Sequence, residues 1–252
     1  MAVLRLEFPQ LSFDDGSLEI GRFARAPIRL YPGFLLVAGV LTASNWWLHP
    51  GLAGIALFLI DFLTVFASVL VHELAHAAVA ERYGVAARRI DLYIFGGVVA
   101  FDTPPRTMRE DFAIVIAGPL SNLALAALAY ALLVVVHGGL PELIARGPDF
   151  EPRIMERALS FALYLNVALF VVNMLPAFPL DGGKLLYLLI ARRRDPKTAT
   201  IVVARLGLLL AFASYLLLLV TAIVGVPIWS PPGAQVNLEA LLAAEREGVP
   251  YY

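Results

Sequence analysis

The sequence has no cysteine among its 252 residues, so disulfide bonds and thiolate metal ligands are both excluded. It has only four histidines, and any metal centre must be built from these, from Asp and Glu, or from carbonyl oxygens. Charge is scarce too: 15% of the residues are charged, against about 25% in an ordinary soluble domain. The formal net charge of −1 offers no basic surface, so no nucleic-acid partner is expected.

Apolar side chains are abundant and make up 60% of the chain. Several apolar runs are long enough to cross a lipid bilayer as helices, which predicts an all-α polytopic membrane protein with about five transmembrane helices. The predicted helices cover about 28–47, 52–80, 111–136, 158–175 and 201–226. The chain then divides into an N-terminal cytoplasmic segment 1–27, a transmembrane core 28–226 and a polar C-terminal tail 227–252.

Two short stretches favour β structure within this helical pattern. Asp14-Asp15-Gly16 is a turn signal between alternating runs and predicts a small N-terminal hairpin. The apolar island 90–101 is too short to span a membrane as a helix, and Gly96-Gly97 interrupts it. It favours a short re-entrant β segment, which is tolerated at membrane depth only where it lines a cavity or packs on protein.

The distribution of basic residues predicts the orientation. With the N-terminus in the cytoplasm, 15 of the 19 Lys and Arg residues lie in cytoplasmic segments and 4 lie outside. We therefore expect an integral membrane protein of a prokaryotic cell membrane, with the C-terminal tail on the outer side. This orientation places residues 72–76 and Asp181 toward the cytoplasmic face, at the same depth.

The second predicted helix carries His72-Glu73-Leu74-Ala75-His76 within an otherwise apolar run. Residues four apart share a helix face, so the two imidazoles are directed toward one point. Such a pair can bind zinc, and Glu73 can serve as the base for metal-activated water. Ionisable residues at membrane depth cost about 3 kcal/mol each on insertion scales, so this cluster indicates a functional site. The alternative is a polar cluster that only hydrogen-bonds neighbouring helices.

These residues belong to a wider set of motifs. From about Ile20 to Val226 the chain closely resembles the site-2 protease family of intramembrane zinc metalloproteases. The motifs that carry the resemblance are His72-Glu73-x-x-His76, Gly96-Gly97-Val98, Gly118-Pro119-x-x-Asn122 and Asn173-x-x-Pro176-x-x-Pro179-Leu180-Asp181-Gly182-Gly183.

The resemblance implies a zinc endopeptidase with one Zn²⁺ per chain that cleaves a transmembrane segment of a client protein, in regulated intramembrane proteolysis. It implies that Glu73 is the general base and that Asn173 assists the reaction intermediate. It also implies that a glycine-containing segment presents the substrate in extended form. The implied zinc ligands are His72, His76 and Asp181, and the implied substrate-binding residues are Ile94, Phe95, Gly96, Gly97, Val98 and Val99.

Other interpretations remain open at the level of sequence. Asp181 precedes glycine and would also suit a turn-capping role. A non-catalytic metal-binding scaffold would share every ligand, and only Glu73 argues against it. A metal or proton transporter would also place His and carboxylates in the membrane, but it needs polar residues that continue to both faces. The polar residues lie mainly in the cytoplasmic half, with Asp61 as the exception.

Asn122 and Asp61 are two further candidates. Asn122 is expected to face other helices. Asp61 lies 11 residues before His72, which puts both on one helix face with Asp61 roughly 16 Å nearer the outside. We expect a neutral carboxyl group hydrogen-bonded to Tyr164, Asn166 or water. Its role is either structural or the hydration and gating of the cavity that leads to the metal.

Overall fold

The computed structural model describes residues 6–7, 13–14, 16–48, 51–93, 96–137, 154–223 and 233–247. Helices dominate, as predicted, and the strands come mostly before the third helix. The strands are β1 Leu6–Glu7, β2 Phe13–Asp14, β3 Ser17–Phe23, β4 Ala26–Leu30, β5 Ala87–Tyr93 and β6 Gly96–Phe101. The helices are α1 Pro32–Leu48, α2 Leu52–Arg82, α3 Met108–His137, α4 Ile154–Asn173, α5 Asp181–Ala191, α6 Pro196–Ile223 and α7 Ala234–Leu242, followed by a π-helical turn Ala243–Glu247.

Four of these helices are long and apolar enough to cross a membrane, namely α2, α3, α4 and α6. They correspond to four of the five predicted spans. The first predicted span is wrong in its first residues, because Ile28 to Leu30 belong to strand β4. The remaining helix, α1, has 17 residues, which is slightly shorter than the roughly 20 that a bilayer requires.

The chain divides into two compact units, one formed by residues 1–105 and 117–170 and the other by 106–116 and 171–252. The first unit contains a six-stranded sheet in the order β1-β3-β4-β5-β6, with β2 paired to β3. Strands β4 and β5 are parallel because helices α1 and α2 form the connection between them. Among the described strands, β6 is the last on its side of the sheet and pairs with β5 alone.

The sheet corrects the expectation of two separate β segments. The predicted N-terminal hairpin is present, since β2 and β3 are antiparallel around Gly16, which has a φ of 72°. The predicted segment 90–101 forms the hairpin β5–β6, and β4 joins it to the N-terminal strands through the register Ile28↔Ile90. One core cluster packs Ala77 of α2 against Ile28 and Ile90. The sheet therefore lies directly against the helix that carries the histidines.

The second unit is built from the start of α3 with α5, α6 and α7. Asp195 precedes α6 and caps it, because its carboxylate accepts hydrogen bonds from the Thr198 backbone N–H at 2.9 Å and from the Thr198 hydroxyl at 2.7 Å. These hydrogen bonds lower the pKa of Asp195. Pro196 at the first helical position suits the same start.

The C-terminal tail does not lie where the sequence predicted. The side chain of Ala240 in α7 packs against Ala199 and Val203, which lie in the first third of α6. Arg205 of α6 also forms an ion pair with Glu245 at 2.8 Å. The segment 233–247 therefore lies beside the end of α6 that the basic residues predict to be cytoplasmic, whereas the sequence placed the tail beyond the opposite end. The side of the membrane on which it lies stays a prediction.

Candidate metal centre

The buried face of α2 organises the candidate site. Its buried residues include Asp61, Val65, Ser68, His72 and His76, which follow one another at intervals of three or four. The predicted common face of Asp61 and His72 is therefore confirmed. The side chains of His72 and His76 are only 6% and 9% exposed, respectively. Buried polar groups of this kind require partners, so their surroundings determine what they can do.

The two imidazoles converge as the spacing predicts. The Nε2 atoms of His72 and His76 lie 3.1 Å apart. Two nitrogens that bind one tetrahedral zinc ion at about 2.0–2.1 Å are separated by about 3.3 Å. The pair is thus already spaced for a common metal ion, and its donor chemistry fits zinc.

A chain of amide side chains sets the tautomer of His72. The Nδ1 atom of His72 lies 2.6 Å from Oδ1 of Asn122. The Nδ2 atom of Asn122 donates to Oδ1 of Asn166 at 2.9 Å, which leaves Oδ1 of Asn122 as the group that faces the imidazole. Nδ2 of Asn166 in turn donates to the backbone carbonyl of Ala162 at 2.8 Å and to Oγ of Ser68 at 3.0 Å. Nδ1 of His72 must then carry the hydrogen, and Nε2 presents its lone pair to a metal.

Two glycines make room for the polar side chains of α2. A Cβ atom at Gly118 of α3 would overlap the imidazoles of both His76 and His72. A Cβ atom at Gly97 of β6 would overlap the carboxyl group of Glu73. Glu73 is 5% exposed and therefore lies between its helix and the edge strand of the sheet. Space, rather than backbone flexibility, is what these two glycines contribute.

Asp181 lies on an element of different character. Asn173 ends α4, and Pro176 and Pro179 interrupt the helix before Asp181 begins α5. The loop turns tightly, with the backbone N–H of Leu180 donating to the carbonyl of Ala177 at 2.9 Å. A Cβ atom at either glycine after Asp181 would overlap backbone carbonyl groups of the loop, at Met174 for Gly182 and at Ala177 for Gly183. The Asp-Gly-Gly sequence thus lets the loop lie directly on the first turn of α5.

Among the described residues, one group of His, Asp and Glu side chains could hold a metal ion. It consists of His72, His76 and Asp181, whose ligand atoms all lie within 4.8 Å of one another. Three protein ligands leave a fourth position open, which is the arrangement of catalytic rather than structural zinc sites.

Comparison with known proteins places the chain in a family. The model of peptidase family M50 matches residues 61–151 and 144–214. The chain belongs to peptidase family M50, the site-2 proteases. The M50 match begins at Asp61 and includes every residue of the candidate metal group. With its four apolar helices, this M50 chain is an integral membrane protein.

Individual relatives agree with this assignment. The protein Rip3 of Mycobacterium tuberculosis is 32% identical over 203 residues, which are 77% of this chain and 49% of Rip3. Zinc metalloprotease MJ0392 of Methanocaldococcus jannaschii is 29% identical over 196 residues, which are 77% of this chain and 52% of that protein. The chain spans about half the length of these curated relatives. The solved structure of a site-2 protease from Methanocaldococcus jannaschii superimposes with a TM-score of 0.57 at 25% identity, covering 94% of this chain and 97% of that one.

The other residues that the sequence predicts for the site lie in different surroundings. Asn173 is half-buried at the end of α4, and Val98 on β6 is 43% exposed. Ile94 and Phe95 fall outside the described residues. Asp61 is buried, and both amide hydrogens of Asn166 are donated to Ser68 and Ala162. The expectation of an Asp61 carboxyl group hydrogen-bonded to Tyr164, Asn166 or water stays a prediction.

The sequence did not predict that Asn166 and Ser68 join the hydrogen-bond chain behind His72. Ser68 lies one helical turn before His72 on the same buried face, and this spacing was the available signal. Asn166 is suggested by the sequence only as a partner for Asp61. Nothing in the local sequence indicates that it would instead orient Asn122.

Gly118→Ala should weaken zinc binding even though alanine is the better helix former by about 1 kcal/mol. The added methyl group displaces both imidazoles, so we expect substoichiometric zinc in elemental analysis of the purified protein. Gly39→Ala is the matched control, because a Cβ atom at Gly39 in α1 meets no atom within 4 Å. Full zinc content in Gly118→Ala would contradict the packing described above.

Asn122→Leu removes the acceptor that fixes the His72 tautomer while keeping a similar volume. Loss of such an outer partner typically lowers metal affinity by about 10- to 100-fold, and we expect a loss of this size in a chelator-competition titration. Ser121→Ala is the neighbouring control, since the Ser121 hydroxyl donates only to the Gly118 carbonyl of its own helix, at 2.7 Å. An unchanged zinc affinity in Asn122→Leu would show that the hydrogen bond does not orient the ligand.

Proposed function

We propose that this protein is an intramembrane zinc metalloendopeptidase that cleaves a transmembrane segment of a client protein. The observation that carries the proposal is the buried pair of imidazoles, 3.1 Å apart at Nε2, on a helix of membrane-spanning length with Glu73 beside it. The M50 membership supports the same reaction class.

In this proposal His72, His76 and Asp181 hold one zinc ion. The bound ion supplies a Lewis acid that lowers the pKa of water toward about 7 and polarises the scissile carbonyl. The two imidazoles donate through Nε2, and Asn122 keeps His72 in the tautomer that can do so. Asp181 contributes a carboxylate oxygen and offsets part of the metal's positive charge.

Glu73 acts as the general base. Its carboxylate accepts a proton from the attacking water and returns it to the leaving amine as the peptide bond breaks. Burial keeps bulk water away from the carboxylate, and Gly97 leaves the space that the side chain needs. Asn173 donates a hydrogen bond to the oxyanion that develops on the carbonyl.

Strand β6 presents the substrate. Peptide bonds in a helix are shielded, so a transmembrane substrate must unwind locally, and its freed backbone groups need partners in lipid. The outer edge of β6 offers backbone N–H and C=O groups because β5 is its one described neighbour in the sheet. Gly97 of this strand lies against Glu73, so a substrate strand added here passes beside the base. This geometry supports the assignment of Gly96 to Val99 to substrate binding.

Glu73→Gln should retain zinc and lose cleavage, because the change removes the base but no ligand. We expect the cleavage rate of a membrane-embedded peptide substrate to fall by at least about 100-fold, which is the low end of the range for loss of a general base. Glu81→Gln, eight residues further along α2, serves as the control. Cleavage by Glu73→Gln at the wild-type rate would refute the role of Glu73. If the wild-type protein binds zinc fully but cleaves no client protein, a non-catalytic metal-binding scaffold would be favoured instead.

Asp181→Ala and Asp181→Asn together separate ligation from a turn-capping role. Asn suits a turn as well as Asp does, so a turn-capping role predicts normal zinc content in Asp181→Asn. Ligation predicts that both variants lose zinc in elemental analysis, because a neutral amide is a weak zinc ligand. Asp102→Ala in an exposed loop is the control. Retention of stoichiometric zinc by Asp181→Asn would remove Asp181 from the ligand set.

A further inference from the structure

The C-terminal helix α7 makes an unusual contact with the loop that leads to Asp181. The side chain of Asn237 is fully buried. Its Nδ2 atom donates to the backbone carbonyl of Phe178 at 2.7 Å, and its Oδ1 atom accepts from the backbone N–H of Phe178 at 3.2 Å. The second hydrogen of Nδ2 goes to the carbonyl of Gly233 at 2.6 Å. One amide side chain thus satisfies both backbone polar groups of a single loop residue.

The loop needs such a partner from outside. Pro176 and Pro179 lack backbone N–H groups, so the segment between α4 and α5 cannot form a regular hydrogen-bonded turn of helix. Phe178 is itself fully buried, with its ring centroid 6.5 Å from that of Tyr187 on α5. A buried and unpaired backbone at Phe178 would be costly, and Asn237 removes that cost. Asp181 follows three residues later.

The surrounding elements are shaped to admit Asn237. A Cβ atom at Gly207 of α6 would overlap the amide group of Asn237. Ala240, one turn further along α7, packs into the same core cluster as Phe178 and Val203. Asn237 of α7 therefore packs closely between Gly207 of α6 and the loop residue Phe178.

We propose that the C-terminal segment 233–247 is a clamp for the metal-binding loop and that Asn237 is a positioning residue for Asp181. The proposal rests on the function proposed above, in which Asp181 is a zinc ligand. It assigns a role in the metal site to residues beyond the region 61–214 that the family model matches. The M50 core of this chain accordingly depends on its own tail to hold the third ligand.

The test uses the full-length protein and Zn²⁺ in competition with a chelator. Asn237→Leu removes all three hydrogen bonds, and Asn237→Asp keeps the acceptor for Phe178 N–H while losing both donors. We expect zinc affinity to fall about tenfold or more in Asn237→Leu and by a smaller factor in Asn237→Asp. Glu245→Gln is the control, because it breaks the exposed pair with Arg205 on the same segment and leaves Phe178 untouched.

Two further readouts separate positioning from general stabilisation. Hydrogen exchange of the metal-free protein should accelerate in residues 174–183 of Asn237→Asp while the rest of α5 and α6 keeps its wild-type protection. In an Asp181→Ala background, Asn237→Asp should cause no additional loss of zinc affinity, since the loop then has no ligand to position. A role in stability alone predicts equal losses in both backgrounds.

The outcomes are distinct. Wild-type zinc affinity in both Asn237 variants, with Asp181→Ala impaired, overturns the clamp and leaves the proposed ligands in place. Wild-type affinity in Asp181→Ala overturns the ligand set itself. If Asn237→Leu does not fold, Asn237→Asp decides: a zinc affinity equal to wild type, or a loss that persists in the Asp181→Ala background, refutes positioning.

Discussion

The structure depends on the burial of ionisable side chains in a helix that is otherwise apolar. His72, Glu73 and His76 occupy one turn of α2 and are all nearly inaccessible to solvent. Each such group is costly in an apolar surrounding unless it has a hydrogen-bond or metal partner. For His72, the polar residues Asn122, Asn166 and Ser68 meet this demand in a chain of hydrogen bonds that also reaches the carbonyl of Ala162. His72, His76 and Asp181 together could hold a metal ion at the end of this chain of hydrogen bonds.

The glycines of the motifs are needed mainly because they occupy little space, and less because they allow unusual backbone angles. Gly118 admits the imidazoles, Gly97 admits the Glu73 carboxyl group, and Gly182 and Gly183 admit the carbonyls of the loop before α5. In each case an added methyl group would meet a functional side chain or its supporting backbone. The glycines of the motifs therefore mark the places where two elements approach closely. The hairpin β5–β6 and helix α3 have glycine where they face α2, because a larger residue there would overlap side chains of α2.

The sequence predicted what is locally encoded and failed where distant segments meet. The buried face of α2 and the convergence of His72 with His76 follow from helical periodicity. The start of the first helix was misplaced at Ile28, because a short apolar run has the same pattern as a strand or a buried helix. The parallel pairing of β4 with β5 joins segments more than 50 residues apart, and no local signal specifies it. The amides of Asn166 and Asn237 were missed for the same reason.

The histidines and the aspartate of the candidate metal group are held in position in different ways. His72 and His76 lie on a regular helix, so backbone hydrogen bonds fix the distance between them. In addition, the His72 imidazole needs a partner that sets its tautomer, and Asn122 is that partner. Asp181 follows a loop in which two prolines remove backbone donors, so isolated turns such as that from the Leu180 N–H to the Ala177 carbonyl replace a continuous helical hydrogen-bond ladder. A ligand on such a segment requires support from a distant part of the chain. In the proposed zinc site Asn122 and Asn237 therefore have the same kind of role. Each is a buried amide whose hydrogen bonds would orient a metal ligand, His72 directly in one case and Asp181 through Phe178 in the other.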